Sequence, residues 1–234
     1  MFDLQEQLAQ LRRRVARIER KYASGPPARI APTPDARRPE RYFVEEYLDG
    51  VEVETPHGRH FETERLFERH RRHGSMEVSS LEGLPPDLLG PISNGEVPPS
   101  PPARWAFLDT ETTGLSGGSG TYAFLIGVGR VTPEGFRVRQ FFMRDHGEEA
   151  SLVHALASHL TGSETLVTYN GKAYDVPLLE TRYRMHRMPP PFSRMAHLDL
   201  LFGARRLWKL RFESCRLVEL ERQVFGVERE GDLP

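Results

Sequence analysis

Residues 104–115 read RWAFLDTETTGL. Trp105-Ala106-Phe107-Leu108 is an uninterrupted apolar run, as expected of a strand covered on both faces. The run ends on Asp109, and Glu111 follows two residues later. Side chains two apart in an extended chain share a side, so two carboxylates stand together at the end of a buried strand. At that spacing they repel unless a cation lies between them. A hard divalent ion with oxygen ligands, Mg²⁺ or Mn²⁺, meets that need. A lone Asp-x-Glu is equally the mark of a strand entering a solvated acidic turn, so the rest of the chain has to decide.

Downstream, Ser116-Gly117-Gly118-Ser119-Gly120 reads as a turn. No Gly-Lys-Ser/Thr follows it and no helix opens after it, so it is not a phosphate loop. Residues 122–131 and 136–143 predict two strands joined through Thr132-Pro133-Glu134-Gly135, which with the first strand make an antiparallel meander. The second of these alternates apolar and basic residues, which leaves one face wet. Residues 148–160 predict a helix with Leu152, Leu156 and Leu160 on one face and His154 and His159 exposed. A strand at 164–169, a helix at 174–187, a strand at 196–200 and helices at 201–208 and 215–225 complete the pattern. A meander followed by alternating units predicts an α/β fold with a mixed five-stranded sheet flanked by helices.

The second informative stretch is residues 167–179, VTYNGKAYDVPLL. Its strand ends at Asn170-Gly171, and Asp175 falls in the first turn of the next helix, where the helix N-terminus favours a carboxylate. If this strand lies parallel beside the first, Asp175 approaches Asp109 and Glu111. FLDTETTGL resembles the first motif, and YNGKAYD the second, of the DEDD superfamily of nucleases, most closely its YprB-type branch of DnaQ-like, ribonuclease H-like members. The resemblance spans about residues 104–234 and implies a ribonuclease H-like fold. It implies a two-metal 3′→5′ exonuclease acting on a single-stranded DNA or RNA end, with Mg²⁺ or Mn²⁺ held by Asp109, Glu111 and Asp175. In such a site Glu111 also orients the attacking water. Two ions ~4 Å apart lower the pKa of that water and stabilise the leaving oxygen. Thr110, Thr112, Asn170, Lys172 and Tyr174 are the implied substrate contacts; for Asn170 turn formation is an adequate role, and Tyr174 either stacks on a base or packs beneath the site.

The chain departs from the resemblance at its end. Family members carry a fourth acid on the last helix, whereas here Phe225-Gly226-Val227 is followed by EREGDLP. The fourth acid is expected beyond Pro234, Asp232 being a poor substitute. Asp199, in HLDLL, resembles a structural strand Asp rather than a ligand. The alternative function is a nucleic-acid-binding or scaffolding protein with an incomplete, inactive site. Arg205, Arg206, Lys209 and Arg211 around Trp208, with Arg182, Arg184 and Arg187 before them, suit single-stranded nucleic acid; solvated helix faces explain the same residues.

Upstream, Leu4, Leu8, Leu11, Val15, Ile18 and Tyr22 form an a/d pattern, which predicts a coiled-coil-like helix over 1–23 and a homo-oligomer through it. The same pattern fits a helix docked on its own domain. Residues 24–40 are a Pro-rich linker, 41–84 a small accessory segment, 85–102 a second Pro-rich linker and 103–234 the nuclease-like domain, lacking its last helix. Within 41–84, short strands are expected around Asp49-Gly50 and a helix over 61–70. His57, His60, His70 and His73 match no ligand spacing and read as a solvated or phosphate-facing cluster. The 234 residues include 38% hydrophobic residues, a low share, and 19 prolines concentrated in the two linkers, so a compact part and a loose part are expected. A net charge of −1 gives no overall pull toward nucleic acid or membrane. Cys215 is alone, which excludes an intramolecular disulfide and a cysteine-rich zinc site, and fits a small core residue. No stretch approaches the ~20 apolar residues of a membrane span and no signal peptide opens the chain, so a cytoplasmic protein is expected.

Overall fold

Strand β5 (Trp105–Thr112) lies inside a mixed seven-stranded sheet ordered β1-β2-β7-β6-β5-β8-β9. The computed structural model describes residues 44–114 and 120–229. The heptad segment with its expected oligomer contact, the first linker, the glycine-rich turn at 115–119 and Asp232 lie outside the described residues. β6 (Ala123–Thr132) and β7 (Gly135–Phe142) form the expected meander with β5, every step antiparallel. β8 (Thr165–Thr168) and β9 (Ala196–Asp199) continue the sheet on the other side of β5, both parallel to it.

The apolar run of β5 is buried on both faces, and its alternation sorts it between two cores. Ala106 and Leu108 pack with Leu152 and Leu156 of α2 (Glu149–His159) and with Leu179 and Tyr183 of α3 (Asp175–Met185). Trp105 and Phe107 face the other way, toward Leu89 of α1 (Leu89–Ser93), Val97, Val167 and Leu198. On that side α4 (Leu200–Trp208) lies against α1, close enough that a Cβ on Gly203 would stand 3.0 Å from Ile92. Residues 85–102 are tied to this core rather than spanning loosely. Val97 is buried, Ser100 Oγ lies 2.8 Å from Thr165 Oγ1, and Trp105 Nε1 donates to Ser100.

The sheet has two strands more than the five expected, and both come from residues 41–84. β1 (Val51–Thr55) pairs with β2 (Gly58–Glu68), and β2 pairs with β7 from Phe61↔Phe142 to Glu68↔Gly135. The helix expected over 61–70 is therefore a strand. Its Glu, Arg and Leu favour a helix locally, but the free edge of β7 supplies partners that override propensity. Phe61 and Phe67 lie opposite Phe142 and Phe136, and Glu64 bonds Arg137 and Arg139 across the sheet. Residues Val44–Glu46 form a 3-10 turn where the sequence predicts a strand. After β2, β3 (Arg72–His73) and β4 (Met76–Glu77) make a separate two-residue hairpin. The last helix is also shorter than expected: α5 (Leu217–Leu220) widens into a π-type turn, Glu221–Phe225, and Gly226 closes it at φ 69°.

Candidate active site at the carboxyl end of β5 and β8

The buried part of β5 carries Asp109 and Glu111 beyond the core, where both are exposed. They pair across the sheet with Gly127 and Leu125 of β6, and the register slips immediately after Glu111. Thr110 and Thr112 point to the opposite side by strand alternation and are half-buried. Asp175 is the first residue of α3 and is half-buried. Its Oδ1 accepts a hydrogen bond from Thr110 Oγ1 at 2.5 Å, so Asp175 is anchored through the β5 residue between the two acids. Thr112 instead donates to the carbonyl of Gly114.

Charge couples the acids. Surrounding protein, and next the Glu111 carboxylate, push Asp109 above the usual carboxylate range, while Arg229 opposes the rise. Asp175 is pushed the same way by burial and by Asp109, against the Thr110 hydrogen bond. Asp175 thus feels the charge of Asp109. Yet among the described residues no three Asp, Glu, His or Cys side chains converge as an ion-holding group.

The turn leading to Asp175 is fixed by Asp199, which is 3% exposed. Its carboxylate accepts from the backbone N–H groups of Asn170 (2.7 Å), Lys172 (3.0 Å) and Leu201 (3.0 Å). It therefore clamps the β8–α3 turn and caps α4 at once. Asn170 takes φ 69°, a left-handed turn conformation that Asn tolerates. Gly171 is required by close approach, since a Cβ there would stand 2.6 Å from Thr168 Cβ.

The remaining candidates separate clearly. Tyr174 is 61% exposed, so it does not pack beneath the site. Lys172 Nζ lies 3.6 Å from Glu96 and 5.8 Å from the centre of the Phe202 ring. Arg182 leaves the basic group: it is 2% exposed and bound through Nε and Nη2 to Glu149, which His186 also contacts. Arg206 donates to the carbonyls of Pro91 and Ile92. Arg205, Lys209 and Arg211 are exposed, and Trp208 stacks on Phe212. His60 is not solvated but fully buried between Ser151 Oγ and Glu62 Oε1, each 2.8 Å away. His159 is half-buried, and burial together with Arg130 and Arg139 lowers its pKa to about 4. Cys215 is half-buried and free. The sequence reading missed Phe202, which is 53% exposed on the first turn of α4. Its signal was an aromatic residue lying off the Leu201–Ala204 stripe that the helix buries.

A meander continued by parallel strands, with acids beyond the buried run of a central strand, defines a ribonuclease H-like α/β domain. The RNase_H superfamily profile matches residues 106–234, more than half of the chain, and the chain belongs to that superfamily. It is 41% identical over 129 residues to the "Uncharacterized protein YprB" of Bacillus subtilis (strain 168), a match covering 55% of this chain and 31% of that protein. A solved structure, "The zinc ion bound form of crystal structure of E.coli ExoI-ssDNA complex", overlaps 53% of this chain and 35% of its own at 17% identity. With a TM-score of 0.42, that overlap is too slight to argue from. The chain thus spans about a third of the length of each of these relatives. Among the described residues no helix is long and apolar enough to cross a membrane.

Proposed function

We propose that this domain is a metal-dependent nuclease that hydrolyses phosphodiester bonds of DNA or RNA from a single-stranded end, as a 3′→5′ exonuclease. The observation that carries the proposal is the placement of Asp109, Glu111 and Asp175. Two lie on the continuation of the buried strand, and the third opens the helix after the adjacent parallel strand. Membership in the RNase_H superfamily supports the same chemistry.

The donor set fits hard divalent ions: it is all oxygen and all acidic. Asp109 and Asp175 titrate above the ordinary range, so a nearby cation relieves them. Asp109, Glu111 and Asp175 would hold Mg²⁺ or Mn²⁺, which supplies a water of lowered pKa and a counter-charge for the leaving oxygen. Thr110 positions Asp175, and Asp199 sets the turn from which Asp175, Lys172 and Tyr174 project. The Lys172 ammonium offers a phosphate contact.

The test combines Mn²⁺ calorimetry with cleavage of a 5′-labelled oligonucleotide. The wild-type chain is expected to bind Mn²⁺ and to shorten the oligonucleotide progressively from its 3′ end, and Asp109→Asn and Asp175→Asn to do neither. A variant that cuts at the wild-type rate removes its carboxylate from the mechanism, and release of the 5′ label first reverses the polarity. That the acids do not converge among the described residues favours a second reading, a domain that binds nucleic acid without cutting it. Oligonucleotide binding with no cleavage in Mn²⁺ would establish that reading instead.

A further inference from the structure

Between α4 and the turn that follows β8 lies a cleft of about 300 Å³. Its size is at the lower end of small-ligand clefts, roughly 300–1,000 Å³. Lys172, His197, Phe202 and Arg206 line it, with Asn94 and Glu96 from the segment after α1. Three of its features point to one ligand chemistry. The Phe202 ring is 53% exposed, although its neighbours Leu201, Gly203 and Ala204 on the same helix are buried. The Lys172 ammonium stands 5.8 Å from the ring centre, so a flat apolar surface and a positive charge are offered together. The backbone under Lys172 is held by Asp199, which presets this pairing before any ligand arrives. The contact that Lys172 already makes, with Glu96 at 3.6 Å, is an exposed ion pair that a phosphate can displace.

Resting on the nuclease reading, we propose that this cleft is a single-strand-selecting subsite: Phe202 stacks one unpaired base and Lys172 holds the adjoining phosphate. An aromatic face beside a cation is how proteins grip single strands without reading sequence, because every base has a π-face. A base inside a duplex is stacked on both sides and cannot lie on Phe202, so the subsite favours single strands over duplex.

The experiment is fluorescence anisotropy of the full chain with labelled dT12 and with a long linear duplex, in which almost every base is stacked on both sides, in EDTA so that nothing is cut. Wild type is expected to bind dT12 more tightly than the duplex. Phe202→Ala should weaken dT12 binding by roughly tenfold to a hundredfold and leave the duplex unchanged, while Phe202→Trp retains dT12 binding. Lys172→Gln should reduce the slope of log affinity against log salt by about 0.7, one single-strand phosphate contact. Phe202 is exposed, so thermal melting of both Phe202 variants should match wild type. If Phe202→Ala binds dT12 like wild type, or weakens dT12 and duplex alike, the subsite is overturned. The nuclease reading is decided separately, by cleavage in Mn²⁺ lost in Asp109→Asn. Cleavage with no Phe202 effect leaves the chemistry and removes the subsite; a Phe202 effect on dT12 with no cleavage does the reverse.

Discussion

Replacing Asp199 with alanine tests whether one buried carboxylate assembles this end of the sheet. The carboxylate accepts from three backbone N–H groups, on Asn170, Lys172 and Leu201. Hydrogen bonds to a charged acceptor contribute ~1.5–3 kcal/mol each, though not additively. The Leu201 bond is also an N-cap, for which loss costs ~0.5–2 kcal/mol. The N–H groups of Asn170 and Lys172 lie on a more open turn than Leu201, so water recovers part of their loss. Counting the cap in full and the turn bonds at about half gives ~2–5 kcal/mol. Against a typical total of ~5–15 kcal/mol, the variant folds but with a much smaller margin. Asp199→Asn should cost less, ~2 kcal/mol, because Oδ1 keeps Asn170 and Leu201 while the new amide nitrogen faces the Lys172 N–H as donor against donor. Urea unfolding at equilibrium measures both, with the slope checked for constancy. A cost under ~1 kcal/mol for alanine, or a larger cost for asparagine than for alanine, would refute the clamp.

Other expectations concern charge. Asp109 and Asp175 titrate above the usual range, so the folded chain holds protons that the unfolded chain releases. Stability therefore falls as pH rises through that raised range, and Asp109→Asn in EDTA should melt higher than wild type at pH 7. An equal or lower melting point would show that the acids are not in tension. His159 has the opposite sign: with its pKa lowered to about 4, the folded chain resists a proton that the unfolded chain takes near 6.5. Stability should fall by ~1–2 kcal/mol, discounted for partial exposure, as pH drops from 6.5 to 4. His159→Gln should flatten that part of the pH profile, and an unchanged profile would remove His159 as the cause. At the buried Arg182–Glu149 pair, Glu149→Gln should cost ~3–5 kcal/mol, because it leaves the guanidinium without its counter-charge. A thermodynamic cycle over Glu149→Leu, Arg182→Met and the two together should find the double variant less destabilised than the sum of the singles; additive effects would refute the coupling.

The carboxyl half of this fold was legible because its patterns are local. The apolar run before Asp109, the Leu152–Leu156–Leu160 stripe and the Asn170-Gly171 turn each declare an element from a few neighbouring residues, and the structure has those elements. β2 was not legible to its end, since residues 63–68 pair only with β7, more than sixty residues away in sequence. The same holds for single residues. Nothing near His60 or Arg182 in the chain announces that each is buried, because the partners that permit it, Ser151 and Glu149, come from a distant helix. At the candidate site the placement of Asp109 and Glu111 at the end of β5 and of Asp175 at the start of α3 was readable from spacing, but the contacts around them were read only in part. Asp199 was recognised as structural, while its three-way clamp depends on strand β9 ending beside the β8 turn.

β5 explains why Asp175 bonds Thr110 rather than meeting the two acids of that strand. Strand alternation that sets Asp109 and Glu111 together necessarily turns Thr110 away from them. α3 packs on the Ala106 and Leu108 side, which is the side Thr110 faces, so a helix that covers the core brings its first residue to Thr110. Asp175 reaches the neighbourhood of Asp109 by that route and not by sharing its face. The two requirements meet only where β5 ends: earlier, Leu108 and Phe107 occupy both faces with core side chains, and later, the register slips after Glu111. The residue pair that follows the buried run, Asp109 and Thr110, is thus where β5 carries an acid on one face and the partner of Asp175 on the other.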